Sequence, residues 1–301
     1  MSVIEQVPPD DTRGIMSPRA MLRRVDFQRS AAPSELAGLA AHVWFVAWDL
    51  PPGEEHRQDV LAHTAVNISV GPAPPAGPDP PPGPYPLRMY VSGVTTGLTT
   101  RVLSGSGWNL AVRTTVGGFG AWWDDVASIN DVEVPAEELF DADVSPLVDR
   151  IAEAGIEEAR MLLTGWMIDR LATRSGDTIS TAREVARVAA AAEYDRELVR
   201  VEELAALAGV SPRTLQRTFL RYAGVSPTRV IRRYRLLDAA EAARDGHHID
   251  WAELAARLGY ADQAHLTRDF TGSIGQSPAS YLAAQRTRSS GGTAPERGRA
   301  I

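Results

Sequence analysis

Gly209-Val210-Ser211-Pro212-Arg213-Thr214-Leu215-Gln216-Arg217-Thr218-Phe219 returns, with small changes, as Gly259-Tyr260-Ala261-Asp262-Gln263-Ala264-His265-Leu266-Thr267-Arg268-Asp269-Phe270. The flanks repeat with it: Leu204, Gly224, Ser226 and Pro227 return as Leu254, Gly275, Ser277 and Pro278, and one residue is inserted in the second turn. A repeat of this period is one supersecondary unit used twice. In each copy a short amphipathic segment ends at a glycine, which takes the left-handed conformation without steric cost. Ser211 with Pro212, and Asp262, then supply the N-cap and opening of another helix. The pattern predicts helix, glycine turn, helix in both copies, with Ser226 and Pro227 opening a long connecting helix through Ala243.

Spacing assigns the faces. Leu215 and Phe219 are four apart and point to the first helix of their copy, which leaves Arg213, Gln216 and Arg217 outward near the helix N-terminus and Arg221 one turn further on. In the second copy Leu266 and Phe270 point inward, and Gln263, His265, Thr267 and Arg268 are free. A recognition helix presents this part of itself to the major groove. Arginine can bond guanine O6 and N7 in a bidentate fork, and glutamine can do the same for adenine. A plain three-helix core would account for Leu204, Leu215 and Phe219 equally well. Matching Gly, Arg, Phe and Ser-Pro positions in a second copy are what packing alone does not explain. Two such helices entering successive grooves on one face of a duplex lie about 34 Å apart.

Charge agrees with this placement. The net charge is −7 over 301 residues, and all 31 basic side chains are arginine. Between Glu203 and Asp238 there is no acid, yet Arg213, Arg217, Arg221, Arg229, Arg232, Arg233 and Arg235 all fall there. A clustered basic stretch is the electrostatic footprint of a polyanion partner, although a solvated helix face would look the same.

The second copy, Gly259 through Phe270 and on to Ser277-Pro278-Ala279-Ser280-Tyr281, closely resembles the signature of the AraC/XylS family of bacterial transcription regulators. Gly209 to Phe219 resembles that family's first recognition segment. The resemblance covers roughly residues 178 to 286. It implies a seven-helix domain, with DNA contacts at Arg213, Gln216, Arg217, Gln263 and Arg268 and RNA polymerase as a further partner. Leu266 departs from the family, which often has Phe there. More weakly, His42-Val43-Trp44-Phe45-Val46-Ala47-Trp48-Asp49-Leu50 and the Gly107 to Trp123 stretch look like the cupin-like N-terminal domain of one branch of the family. That likeness implies a β-barrel that binds a small effector or makes a homodimer.

The N-terminal half supports a β-rich reading on its own terms. Short alternating runs at 42–48, 65–70, 87–91, 99–103 and 110–113 are separated by Gly, Pro, Asn and Asp, as strands and turns are. Nine prolines within 71–86 preclude sheet or helix there, because proline lacks the N–H donor. After Pro135 the period becomes helical, with Ser145 and Pro146 opening helices that span 145–172. The expected organisation is an irregular N-terminus at 1–20, a β-rich sensing or oligomerisation domain at 21–175, a double helix-turn-helix domain at 176–286 and a disordered tail at 287–301. The fold class is therefore α+β multidomain, a cupin-like barrel with following helices and an all-α C-terminal domain.

Trp44, Trp48 and Trp108 are candidates for an effector pocket, with barrel filling as the plainer role for any one of them. His42, His56 and His63 lack the His-x-His and Glu spacing of metal-binding cupins, so no metal or other cofactor is expected. The absence of cysteine excludes disulfides and thiolate chemistry. Without a phosphate loop, nucleophile elbow or paired-carboxylate spacing, no enzyme is expected. No apolar run reaches the length of a membrane span or a signal peptide, so the expected location is cytoplasmic and no membrane partner is expected. The leading reading is a sequence-specific regulator bound to double-stranded DNA. An enzyme fused to a DNA-binding module, and a scaffold for an acidic protein, are its rivals.

Overall fold

The computed structural model describes residues 12–73, 85–195, 198, 200–244 and 249–290. The chain divides into two compact units, Met1–Tyr234 and Arg235–Ile301.

The first unit opens with a single helical turn, α1 (Pro18–Met21), followed by β1 (Val25–Ala31), β2 (Ala40–Asp49), β3 (Glu55–Val60), β4 (Asn67–Pro72), β5 (Leu87–Ser92), β6 (Thr99–Ser104), β7 (Ser106–Thr114) and β8 (Glu133–Pro135). Helices α2 (Ala136–Phe140), α3 (Ser145–Glu153), α4 (Ile156–Leu171), α5 (Gly176–Tyr194), α6 (Val201–Leu207) and α7 (Pro212–Ala223) complete it. Six strands pair antiparallel in the order β1-β2-β7-β4-β5-β8, and β3 forms a separate ladder with β6, its Val60 also bridging Ile15. The expected barrel is thus open. Closure would require the two edges, β1 and β8, to find partners. β8 is only three residues long, and β3 and β6 satisfy each other in a separate ladder.

Alternation along the strands divides the large sheet into two unlike faces. Cross-strand pairing places Val43, Val112, Ile68 and Val91 in one row and Leu110, Val70 and Met89 in the next, all buried. Helices α2 and α3 pack at β5 and α4 packs at β7, so the apolar core lies between sheet and helices. The opposite face carries Arg29, His42, Trp44, Asn67, Ser69, Tyr90, Asn109 and Arg113 and is polar. Two pairs of its groups bond one another: Trp44 Nε1 donates to Asn67 Oδ1 at 3.1 Å, and Tyr90 Oη to Asn109 Oδ1 at 2.9 Å.

The second unit holds most of α8 (Pro227–Arg244), a helix that begins in the first unit, then α9 (Trp251–Arg257), α10 (Gln263–Ile274) and α11 (Pro278–Ser290). Leu254, Leu266, Phe270, Ile274 and Tyr281 form its core. α11 continues to Ser290, past the point where disorder was expected, and residues 291–301 lie outside the described residues, as do 74–84 of the proline-rich segment. No described helix is long and apolar enough to cross a membrane.

Candidate DNA interface and sensing face

Both helix-turn-helix copies form as their local chemistry dictates. In the first, α6 ends at Gly209, whose φ is +65°. Ser211 caps α7 by accepting from Thr214 N at 3.2 Å, and Pro212 occupies the first helical position. Leu215 and Phe219 are buried against the unit, while Arg213, Gln216 and Arg217 are exposed along one side. Among the described residues neither Arg213 nor Arg217 has an ion pair, so both guanidiniums are available. In the second copy Gly259 (φ +76°) ends α9, and Asp262 caps α10 by accepting from His265 N at 2.7 Å. Gln263, His265 and Arg268 are exposed, Thr267 is half-buried, and Leu266 and Phe270 are fully buried. The His265 ring meets Tyr260 edge-on at 5.1 Å, and Tyr260 Oη donates to Asp269 Oδ2 at 2.8 Å. This outer face is more structured and less basic than that of α7.

The acid-free arginine run is not one continuous basic surface. Arg233 is only 4% exposed and donates to the carbonyls of Ala62, Thr95 and Thr96 at 2.8–3.2 Å. Arg235, 2% exposed, lies 3.8 Å from Asp238 in the second unit. These two hold the fold. Arg229 is exposed, although its Nη2 also donates to Thr96 O.

Arg221 sits one turn beyond Arg217, as predicted, but not as a free cation. Its guanidinium lies over its neighbour Tyr222 and reaches Asp124 Oδ1 at 3.4 Å. The same oxygen accepts from Arg174 Nη2 at 2.7 Å. The Arg174 hydrogen bond first, with Arg221 adding to it, holds the Asp124 carboxyl below the usual carboxylate range. Helix α7 thereby joins the sheet-bearing part of the first unit. It packs on the 3-10 turns Gly118–Ala121 and Val126–Ile129, and Asn130 Nδ2 donates to Gly224 O at 2.7 Å. Sequence reading missed Asp124 and Asn130 and took Arg233 for part of a basic surface, because nothing in a linear pattern pairs a side chain with a partner a hundred residues away.

The three tryptophans proposed as a pocket are not brought together. Trp44 and Trp48 share the polar face of the sheet, and Trp108 pairs with Ala47 and so points to the other face, stacked 6.4 Å from Phe45. On the polar side, His42 and His63 are buried close to Arg113, Arg29 and Arg13. Desolvation, with Arg113 and Arg29 adding repulsion at both and Arg13 at His63, pushes both imidazoles well below their usual range. Glu193 lies 3.8 Å from His63 but is already held by Arg13 at 2.9 Å, so it does not reverse that direction. Burial, followed by Glu133, pushes Tyr90 up to about 12. Among the described residues no three His, Asp or Glu side chains cluster as a metal site.

Residues 204–284 match the family model described as a helix-turn-helix domain. The DNA-binding domain of AdpA, a global transcriptional factor solved in complex with a target DNA, is 34% identical, covering 36% of this chain and 98% of that one, with a TM-score of 0.33. The chain belongs to the AraC family. It is accordingly a DNA-binding transcriptional regulator. A probable AraC family regulator from Rhodopseudomonas palustris is 28% identical over 34% of this chain and 96% of that one, at a TM-score of 0.32. ToxT from Vibrio cholerae is 12% identical over 86% of this chain and 96% of its own, at 0.35. Superpositions this loose carry no weight for the placement of parts. Residues 28–135 match a domain of unknown function (DUF6597).

Proposed function

We propose that this AraC family member reads two successive major grooves of one promoter site, α7 in the first and α10 in the second. The observation that supports this most is the pair of capped helices whose apolar faces are buried and whose Arg213, Gln216 and Arg217, and Gln263 and Arg268, are left exposed at the N-terminal end. His265 and Thr267 line the second face, and α7 carries the larger share of base reading because its exposed set is richer in arginine. The functional division is placed at the start of α5, residue 176, and the sheet-bearing part before it controls DNA binding through an effector or a homodimer. RNA polymerase is the expected downstream partner.

Arg217→Ala tests the assignment. Loss of a bidentate base contact lowers specific affinity by about 1–3 kcal/mol and relaxes preference at one base pair. Footprinting on the DNA upstream of its own gene, followed by competition with single-base variants of the protected site, measures both effects. Unchanged selectivity removes Arg217 from base reading.

A further inference from the structure

We propose that a pocket at the C-terminal end of α4 binds a small aromatic carboxylate through Arg170, and that its occupancy is passed to α7 through Asp124. The cavity, about 320 Å³, lies within the first unit and is lined by the apolar Trp122, Trp123, Leu139 and Phe140, by the cations Arg170 and Arg174, and by the acids Asp124 and Asp125. That volume is at the small end of the roughly 300–1,000 Å³ of ligand sites. Apolar flat walls with a few fixed polar groups are what such a site needs.

The arginines select the ligand's charge. The Arg170 guanidinium lies 4.9 Å over Trp166 and 5.6 Å over Phe140, and its Nη1 donates to Phe140 O at 3.3 Å. Two aromatic contacts and one hydrogen bond hold it in place, and among the described residues no carboxylate pairs with it. Most of its N–H donors therefore remain unused. A guanidinium anchored in this way is prepared for a bidentate carboxylate, with little side-chain freedom left to lose. An aromatic amine fits less well: of the two lining acids, Asp124 is already shared by Arg174 and Arg221, and Asp125 is exposed to solvent, so neither is a carboxylate held ready as the Arg170 guanidinium is.

That sharing supplies the transmission. A carboxylate arriving between Arg170 and Arg174 competes with Asp124 for Arg174 and repels it. Asp124 Oδ1 is also the contact of Arg221 on α7, so the bound acid alters how Arg221 is held. Binding does not depend on α7 reading DNA, whereas the transmission half rests on that reading.

The test uses the full chain and four probes, benzoate, phenylacetate, trans-cinnamate and indole-3-acetate, each beside its own amide. Calorimetry should show at least one acid binding with a Kd below about 1 mM and its amide at least about tenfold weaker. Arg170→Met keeps the stacked stem and should abolish binding. Thr173→Trp, at an exposed position on the rim, should block the mouth with the melting temperature unchanged, and it decides the matter if Arg170→Met does not fold. Absence of binding by all four acids, equal binding of acid and amide, or wild-type binding by Thr173→Trp overturns the site. A saturating acid should then change affinity for the upstream DNA fragment, and Asp124→Asn should erase that change. Equal affinity with and without the acid overturns the transmission. Failure to bind DNA at all sinks the α7 reading and leaves the acid titration to stand by itself.

Discussion

His42 and His63 sit inside a protein whose neighbouring cations are arginines, and their state fixes how the fold responds to acid. His42 is 2% exposed and His63 7%, and burial is the largest cause of their lowered affinity for protons, with Arg113 the next. The unfolded chain takes up these protons near the ordinary histidine pKa of about 6.5, whereas the folded chain resists. Below that pH the unfolded state binds more protons, so stability falls as pH falls. The loss amounts to at most about 1.4 kcal/mol per pH unit for each group. Above about pH 8 neither histidine contributes appreciable slope. Thermal melts between about pH 7 and pH 5 should therefore show a steep decline, and His42→Leu should shallow it by roughly one proton's worth. A variant as acid-sensitive as the wild type would show that His42 is already protonated in the native state.

The helical elements were legible because their signals are local. A cap, a proline and a left-handed glycine lie within a few residues of the turn they make, and Ser211, Asp262, Gly209 and Gly259 all act where the spacing put them. Strand runs were legible for the same reason. Their assembly was not: whether the sheet closes depends on which edges meet, and whether Trp108 faces Trp44 depends on the pairing of Ala47 with Trp108, a fact of register. Arg233 misled because an arginine bonded to three carbonyls and one facing a phosphate have the same sequence. Two glycines that look alike in the chain separate local from tertiary demands. Gly209 (φ +65°) and Gly224 (φ +70°) both pay the left-handed penalty when replaced, but a Cβ on Gly209 meets nothing within 4 Å, whereas one on Gly224 would lie 2.7 Å from Asn130 Oδ1 and 3.2 Å from Val126. Gly209→Ala should cost about 1–2 kcal/mol. Gly224→Ala should cost clearly more, since it also strains the seat of α7, and urea unfolding of the two variants compares them directly. Equal costs would mean that Asn130 and Val126 give way freely.

Considered whole, the molecule is acidic, yet it binds a polyanion. Its net charge of −7 repels DNA at long range, so affinity has to come from phosphates neutralised locally by arginines that no acid holds. Asp124 takes one of them out of use by its contact with Arg221. Asp124→Ala should release Arg221, strengthen DNA binding and steepen the fall of log K with log salt by about 0.9, the increment for one further phosphate. Removing any negative charge raises affinity somewhat, and Asp125→Ala controls for this. Asp125 is the adjacent exposed acid, and among the described residues it pairs with no arginine. The salt slope separates the two effects, because a general change in net charge shifts affinity, whereas a new phosphate contact adds a released counterion. If Asp124→Ala and Asp125→Ala show the same slope, Arg221 does not reach the DNA backbone, and the seating of α7 within the first unit leaves its charge as it was.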